Sequence, residues 1–295
     1  MTTTAFREVS LGITPSIRLV HADCFEWLRE APARSVQAVV TDPPFGMVEY
    51  TTGQLEKRAN RSGGIWRIPP SFDGSVRQPL PRFTVLTDDD RLRLRQFFFD
   101  WAKLLQRVLV PGGHVFVAST TALHHTVFGA IQDAGLESRG EIVRIVRTFR
   151  GGDRPKGAED IYPDVGSMLR SNWEPWGVFR MPFEGTLRDN LATWGTGGLR
   201  RREDGTPLAD VIESGRTPQR ERAIVAHPSL KPQAFLRTVV RASLPLGEGV
   251  VLDPFAGSGS TLAAAAAIGY EATGVEVNAS FFNDALVAIP QLARV

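Results

Sequence analysis

Hydrophobic and polar residues follow two rhythms along the chain, and these predict strands that alternate with helices. Strands are predicted where short apolar runs occur, at 16–24, 35–42, 114–119, 249–254 and 270–277. Helices are predicted where apolar residues recur every three or four positions, at 25–33, 88–113, 122–135, 231–244, 260–269 and 279–289. Such alternation predicts an α/β fold with a doubly wound, mostly parallel sheet that has helices on both faces.

Three regions depart from this alternation. Residues 141–150 alternate apolar and charged side chains, which predicts a half-exposed strand, and 173–181 is expected to pair with it as a hairpin. Periodicity fades between 182 and 226, where Gly, Arg and Thr are frequent, and the stretch 47–88 is irregular as well. No regular element is predicted in either of these two segments.

Composition narrows the class of protein. Over 295 residues the chain is 42% hydrophobic and 22% charged, as in ordinary globular proteins. No apolar run approaches the roughly 18 to 20 residues that a membrane helix needs, and the first residues lack the layout of a secretory signal. Cys24 is the only cysteine, which excludes an intramolecular disulfide and a cysteine-rich zinc site. A cytoplasmic location is therefore expected.

Charge is nearly balanced overall but unevenly placed. The net charge of +2 is too small for bulk charge to coat nucleic acid. Between 57 and 82, however, six basic residues accompany the single acid Asp73. One interpretation is a solvated loop; the other is an arm that contacts a polyanion, because basic groups gain free energy by releasing counterions from phosphates.

A glycine-rich turn, "VVLDPFAGSGST" at 250–261, lies between a predicted buried strand and a helix. Sheets of this kind bind ligands at the carboxyl ends of their strands. A phosphate-binding P-loop needs a lysine after the last glycine, where this chain has Ser260, and the dinucleotide fingerprint needs a glycine where it has Leu262. Glu276 ends the next predicted strand, where an acid can bind ribose hydroxyls. Alternatively, Glu276 is only a residue at the start of the following helix.

A second unusual strand end is "VVTDPPFGMV" at 39–48. Its prolines could simply stop a strand, since proline cannot donate a hydrogen bond to a sheet.

Taken together, "TDPPFG" and "DPFAGSGST" resemble the catalytic and cofactor-binding motifs of the amino-methylating DNA methyltransferases, which use S-adenosylmethionine. "HPSLKP" (227–232), "GVEVN" and "VHADC" are similar to further motifs of that family, so the resemblance covers most of the chain. The catalytic motif precedes the glycine loop, as in the family's permuted β-class, which favours DNA over protein glutamine or ribosomal RNA as substrate. This order also implies that the strand at 16–21 lies beside 270–276, with Asp23 near Glu276.

The resemblance assigns site residues and implies a seven-stranded sheet of the Rossmann-like methyltransferase type. Catalytic roles fall on Asp42, Pro43, Pro44 and Phe45. Cofactor contacts fall on Asp23, Cys24, His227, Ser229, Lys231, Asp253, Phe255, Ala256, Gly257, Ser258, Gly259, Ser260, Thr261 and Glu276. The cofactor implied is S-adenosyl-L-methionine, and no metal is expected, because the five histidines show no ligand spacing.

The implied chemistry is methylation of an exocyclic amine on a base flipped out of the duplex. Asp42 and the carbonyl of Pro43 would accept hydrogen bonds from the amine, and Phe45 would stack on the base. Aspartate in first position is typical of N6-adenine enzymes in this family, so adenine is favoured and N4-cytosine is the alternative. Carbon-5 methylation is not favoured because Cys24 belongs to the cofactor side. A DNA-binding module without activity is the alternative of a different class.

The resemblance also divides the chain. Residues 1–182 form the catalytic half with a mobile basic loop at 47–88, 183–226 an inserted target-recognition region, and 227–295 the cofactor half. Double-stranded DNA is the expected partner, while a homodimer and a cognate restriction endonuclease are left open. No membrane partner is expected. DNA contacts are expected from Arg58, Arg61 and Arg67, and from Arg200, Arg201 and Arg202; Arg216, Arg220 and Arg222 are further candidates in the insert.

Overall fold

A computed structural model provides the structure of the protein. It describes residues 6–44, 87–150, 157–158, 160–166, 169, 171–225 and 230–295, with the side chains of 147–150 excepted.

The described residues form one twisted sheet of nine strands. These are β1 Arg7–Ser10, β2 Ile17–His21, β3 Val36–Thr41, β4 Leu109–Ala118, β5 Glu137–Arg150, β6 Ser171–Arg180, β7 Val211–Glu213, β8 Val250–Asp253 and β9 Glu271–Glu276. Their spatial order is β1-β2-β9-β8-β3-β4-β6-β5-β7. The neighbours from β2 to β4 are parallel, and β6 is antiparallel to both β4 and β5.

Helices cover both faces of this sheet, as the sequence predicts. They are α1 Cys24–Glu30, α2 Asp88–Val108, α3 His124–Asp133, α4 Leu187–Trp194, α5 Gln219–Arg222, α6 Gln233–Ser243, α7 Ser260–Ala267 and α8 Ala279–Leu292. Helices α1, α2 and α3 pack side by side on one face, and α6, α7 and α8 on the other. The doubly wound α/β fold is therefore confirmed.

Nine strands instead of seven is a correction to the sequence prediction. The seven expected strands run from β2 to β5 in the spatial order, and one short strand extends the sheet at each edge. β1 pairs antiparallel with β2, and β7 pairs in parallel with β5. Both additions are only three or four residues long and mostly exposed, so neither carries an apolar pattern that could predict it.

The long helix α2 ends five residues earlier than its sequence suggests. Thr87 and Asp90 form a capping box at its start, and its buried stripe includes Phe98, Trp101 and Leu105. It stops at Val108, and the remaining predicted residues, Leu109 to Gly113, belong to β4 instead. A side chain at Gly113 would lie 3.0 Å from the carbonyl oxygen of Gln37, so this glycine lets β4 approach the neighbouring strand closely.

The prediction that 16–21 lies beside 270–276 is confirmed. β2 pairs in parallel with β9, and His21 is in register with Glu276. The amide of Ala22 extends this pairing by donating to the carbonyl oxygen of Glu276, at 3.2 Å. The residues after β2 and β9 therefore leave the sheet together at its carboxyl edge.

The hairpin of β5 and β6 is confirmed, but the expected half-exposure of β5 is wrong at one central position. Arg144 is only 2% exposed. Its guanidinium contacts Glu174 on β6 and, on the other side, Ser214 just after β7. The additional strand and the residues that follow it thus cover the charged face of β5.

The segment 183–225, where the sequence predicts no regular structure, contains α4, β7 and α5. Its first part packs at the amino ends of the strands: Asn190 and Thr196 both donate to the carbonyl oxygen of Pro111, at 3.1 and 2.6 Å. The chain then rises along β7 to the carboxyl edge, where Thr217 donates to the carbonyl oxygen of Leu230. None of the helices in the described ranges is both long and apolar enough to cross a membrane.

Candidate active site

Four neighbouring strand ends carry the sequence motifs. Asp42 follows β3, Asp253 ends β8, Glu276 ends β9 and Asp23 lies two residues after β2. These strands are adjacent in the order β2-β9-β8-β3, so the four acids lie along one edge of the sheet. Three steps between strands span about 14 Å. The sheet thus brings residues from both ends of the chain into one row.

A buried hydrogen bond joins the two principal motifs. The hydroxyl of Thr41, next to Asp42, donates to Oδ1 of Asp253 at 2.7 Å. Asp253 also accepts from the amide of Phe255 at 3.1 Å and from the side chain of Thr261. Burial raises the pKa of Asp253 to about 6, although these three donors favour the ionised carboxylate and oppose the rise.

The glycine loop is held by Glu276. One carboxylate oxygen of Glu276 accepts from the amide of Gly257 at 2.8 Å, and the other from the amide of Asn278 at 2.7 Å. Glu276 is thus more than a helix-start residue, since it fixes the loop and the beginning of α8 together. Each oxygen keeps a lone pair that a further donor could use.

The rest of the loop explains how the chain does without the third glycine of the dinucleotide fingerprint. Leu262 is buried in α7, and a side chain added at Gly274 of β9 would lie 2.8 Å from it. The small residue that allows close packing of helix and strand is therefore on the strand. Gly259 adopts a φ of +81°, a conformation that favours glycine. Ser258 and Ser260 are buried beside it. The amide of Ala256 donates to the carbonyl oxygen of Val275 on β9.

Asp23 caps α1. Its Oδ1 accepts from the amides of Phe25 and Glu26, at 2.8 and 3.1 Å. Cys24 is buried behind it, and burial, followed by the nearby charge of Asp23, raises the pKa of its thiol to about 12. A thiol that stays protonated is a poor nucleophile, which agrees with the sequence argument against carbon-5 methylation.

Asp42 carries one paired and one unpaired carboxylate oxygen. Oδ2 accepts from Nζ of Lys231, in the loop just before α6. Oδ1 is buried, and no group in the described parts of the chain forms a hydrogen bond with it. Burial raises the pKa of Asp42, and Lys231 opposes that rise. Pro43, the next residue, is buried, while Pro44 is exposed.

Two charged residues that the sequence analysis did not assign to the site complete this cluster. Nζ of Lys231 lies 3.2 Å from Oε1 of Glu174, whose Oε2 accepts from Arg144 at 2.8 Å and from Trp176 at 3.0 Å. Burial by itself would raise the pKa of Glu174, but Lys231 and Arg144 outweigh it and lower that pKa to about 2. One signal could have indicated this: a single acid in the otherwise apolar "WEPWGVF" must have a partner if the strand is buried.

The structure brings only some of the expected site residues together. Asp23, Asp42, Lys231, Asp253 and Glu276 lie at the carboxyl edge, with the glycine loop between them. Phe45, His227, Ser229, Arg58, Arg61 and Arg67 lie outside the described residues. No cluster of three or more metal-ligating side chains occurs in the described ranges.

The structure does not bring Arg200, Arg201 and Arg202 to this edge. Arg200 donates to the hydroxyl of Tyr270 at 2.6 Å, just before β9, and its amide donates to the carbonyl oxygen of Ala242 near the end of α6. Both partners lie at the amino ends of the strands, opposite Asp42. Arg201 and Arg202 follow in an exposed turn.

Comparison with known proteins agrees with this geometry. A family model described as DNA methylase matches residues 166–287. Among curated proteins, the Type II methyltransferase M2.DpnII of Streptococcus pneumoniae is 22% identical over 90% of this chain and 86% of its own length. The Type II methyltransferase M.HindIII of Haemophilus influenzae is 23% identical over 91% of this chain and 93% of its own.

Solved structures share the fold. TTHA0409 of Thermus thermophilus, crystallised with S-adenosyl-L-methionine, superposes with a TM-score of 0.55 and 19% identity, covering 92% of this chain and 94% of that one. The PvuII DNA methyltransferase, described as cytosine-N4-specific, gives a TM-score of 0.61 and 13% identity, covering 98% and 95%. The fold is that of the methyltransferases, and the resemblance to the DNA amino-methyltransferases is confirmed. Membership of the permuted β-class stays a prediction.

Proposed function

We propose that the protein transfers a methyl group from S-adenosylmethionine to the N6 amine of an adenine flipped out of double-stranded DNA. The observation that carries this proposal is the buried Oδ1 of Asp42 at the end of β3, which has no hydrogen-bond donor among the described residues. Buried carboxylate oxygens in folded proteins are nearly always hydrogen-bonded. An acceptor left without a donor, at the edge of the sheet that carries the cofactor motifs, fits a site whose donor arrives with the substrate.

Asp42 would activate the amine by accepting one of its N–H groups. The amine lone pair is delocalised into the base, and acceptors for its protons favour a geometry in which that lone pair is free to react. As the new N–C bond forms and the S–C bond of the cofactor breaks, the nitrogen carries an excess proton. Oδ1 of Asp42 would take this proton and release it to water. The raised pKa of Asp42 suits this role.

The row of strand ends fits S-adenosylmethionine, which when bound supplies an electrophilic methyl group on its sulfonium. Glu276 has lone pairs for the ribose hydroxyls, as acids at this position do in nucleotide-binding sheets. Asp23 would lie at the adenine end and the glycine loop at the methionine end. This order leaves the reacting methyl group nearest to β3 and Asp42.

N4-cytosine is the second candidate for the target amine. It is favoured by the likeness in fold to the PvuII enzyme, whose description names that base. Adenine is preferred here because aspartate, not serine, comes first in the catalytic motif. Both amines present the same pair of N–H donors to Asp42, so the chemistry at the carboxylate is common to both.

The test separates cofactor binding from transfer. Wild-type protein and Asp42→Asn are given radiolabelled S-adenosylmethionine and unmethylated DNA, and cofactor affinity is measured by calorimetry on the same preparations. Wild-type protein is expected to label the DNA, and the variant to bind cofactor without transfer. Cofactor binding with no transfer by the wild type on any DNA tested would instead support a DNA-binding module without activity.

A further inference from the structure

Four charges of alternating sign, three buried and one partly buried, form a row that ends at the carboxylate of Asp42. Arg144 contacts Glu174, Glu174 contacts Lys231, and Lys231 contacts Asp42. At the far end Arg144 is fixed by the hydroxyl of Ser214 at 3.1 Å. At the near end, Oδ2 of Asp42 accepts from Lys231, while Oδ1 has no hydrogen-bond donor among the described residues. The row is therefore anchored on one side and open at the atom that the proposed reaction needs.

We propose that Glu174 is a positioning residue, which fixes the ammonium group of Lys231 and through it orients the carboxylate of Asp42. This inference rests on the proposed methyl transfer at Asp42. In this proposal Lys231 acts on the amine through Asp42, whereas the family resemblance places Lys231 among the cofactor contacts.

A second anchor for Lys231 has a clear physical purpose. The lysine side chain is a flexible stem with a point charge, and a single contact leaves it many rotamers. Glu174 is itself held by two donors, Arg144 at 2.8 Å and Trp176 at 3.0 Å. Lys231 is thus confined between two carboxylates. Its ammonium group donates to Oδ2 of Asp42, and the described residues leave Oδ1 free to accept from the substrate amine.

Stability alone does not explain a lysine at this place. Glu174 and Arg144 already form a complete buried ion pair. Lys231 lies two residues before α6, and the amino end of a helix disfavours a cation. Buried charges are also costly to desolvate, and apolar side chains of similar size are often as stable. A third charge in this position is better explained by its effect on Asp42.

The charges that face Asp42 predict opposite effects of two substitutions. The positive groups are Lys231 and Arg144, and the negative ones are Glu174 and Asp253. Removing the charge of Lys231 removes a group that lowers the pKa of Asp42, so that pKa rises. Removing the charge of Glu174 removes a group that raises it, so that pKa falls.

The experiment measures kcat and KM for DNA methylation against pH in Lys231→Met and Glu174→Gln. Lys231→Met should move the acidic limb of the profile to higher pH, and Glu174→Gln to lower pH. Because Asp42 is no longer held in place, both variants should have a kcat roughly 10- to 100-fold lower than the wild type. The KM for the cofactor should change little. Lys231→Arg, which keeps the charge, should recover part of the loss.

The matched control is Glu137→Gln. Glu137 belongs to the same hairpin and pairs with Arg180 at its other end. Arg180 is in register with His114, four residues before the end of β4, which is about 13 Å along the strand. At that distance a charge in partly exposed surroundings is largely screened. Its removal should leave the pH profile and kcat unchanged.

Two further measurements keep the inference falsifiable. If Glu174→Gln does not fold, the double variant Arg144→Gln/Glu174→Gln removes both charges of the pair and should still lower kcat. Labelling with ¹³C-aspartate follows the titration of the Asp42 carboxylate by NMR without any need for activity, with Asp42→Asn to assign the signal. An inactive wild type would contradict the proposed function. An active wild type whose variants keep its kcat, or shift the Asp42 titration in one common direction, would overturn the role of Glu174.

Discussion

Thr41 and Asp253 are 212 positions apart in the chain and share a buried hydrogen bond of 2.7 Å. Thr41 precedes Asp42, for which we propose the catalytic role, and Asp253 begins the glycine loop. The bond therefore couples the strand end that would carry the chemistry to the loop that would carry the cofactor. Any shift of one motif relative to the other must break or bend it.

Thr41→Val is expected to separate the two motifs. Valine keeps the shape of threonine but removes the donor, which leaves Asp253 buried with one hydrogen bond fewer. The free energy of unfolding should fall by about 1 to 3 kcal/mol, and cofactor affinity should fall with it. Chemical denaturation and calorimetry measure the two effects. Thr41→Ser keeps the hydroxyl, and a loss in Thr41→Ser as large as in the valine variant would show that the hydrogen bond is not the cause.

Asp253→Asn is expected to have an effect on stability that depends on pH. The folded state raises the pKa of Asp253 from 3.8 to about 6, so it binds this proton more tightly than the unfolded state does. Stability therefore rises as the pH falls through about 6, and the ionised carboxylate destabilises the fold above that pH. Asparagine carries no charge, so the variant should be more stable than wild type at about pH 8, by on the order of 3 kcal/mol.

Urea denaturation of both proteins at several pH values checks this expectation. The difference in unfolding free energy should shrink as the pH falls toward about 4, where the wild-type carboxyl becomes protonated in both states. A difference that is constant with pH would mean that the raised pKa of Asp253 has no part in it.

Glu276→Gln is expected to weaken cofactor binding. Glutamine offers one carbonyl oxygen where Glu276 offers two acceptors, so the amide of Gly257 or that of Asn278 loses its partner. We expect the dissociation constant for S-adenosylmethionine to rise roughly tenfold or more, as for the loss of one buried hydrogen bond. Glu271→Gln, at the exposed start of the same strand, serves as control and should bind normally. Equal affinity in the two variants would refute the role of Glu276.

DNA binding is expected to depend on Arg220 and Arg222, not on Arg201 and Arg202. The first pair is exposed on α5, which is tied to the carboxyl edge because Glu221 accepts from the amide of Gln233 at 3.0 Å. The second pair is exposed near the amino ends of the strands. Neutralising Arg220 and Arg222 should weaken DNA binding and reduce the slope of log affinity against log salt by about 1 for each phosphate that is no longer neutralised.

Neutralising Arg201 and Arg202 provides the comparison for that measurement. Each pair removes two charges from the surface, so the change in net charge is the same. Weaker binding and a smaller salt slope in the Arg201 and Arg202 variant would place the DNA at the opposite end of the sheet from Asp42 and would contradict this expectation.

The central fold follows from the sequence because its buried strands are apolar without interruption. β3, β8 and β9 have nearly every side chain inside, so the apolar runs at 35–42, 249–254 and 270–277 mark them directly. The neighbouring positions of β2 and β9 follow from motif order, through the family resemblance. Short edge strands such as β1 and β7 lack this signal because most of their side chains face water.

Local patterns indicate at most that Glu174 has a partner, and they do not predict the charged row at the site. Arg144 alternates with apolar neighbours as an exposed residue would, but residues 214 and 215 on one side and the ring of Phe235 cover it in the fold. Lys231 lies in a motif that the resemblance assigns to the cofactor, while its ammonium contacts Asp42 from the other half of the chain. Pairings between charges that are 189 residues apart depend on the tertiary fold.

Identification of the methylated nucleoside tests the proposed methylation of adenine most directly. Wild-type protein and Asp42→Ala are incubated with unmethylated double-stranded DNA and S-adenosylmethionine labelled in the methyl group, and the DNA is digested and separated by chromatography. We expect label in N6-methyl-2′-deoxyadenosine from the wild type and none from the variant, which should bind cofactor normally. Label in N4-methyl-2′-deoxycytidine would contradict the choice of base, and label in the DNA of Asp42→Ala at the wild-type level would contradict the catalytic role of Asp42.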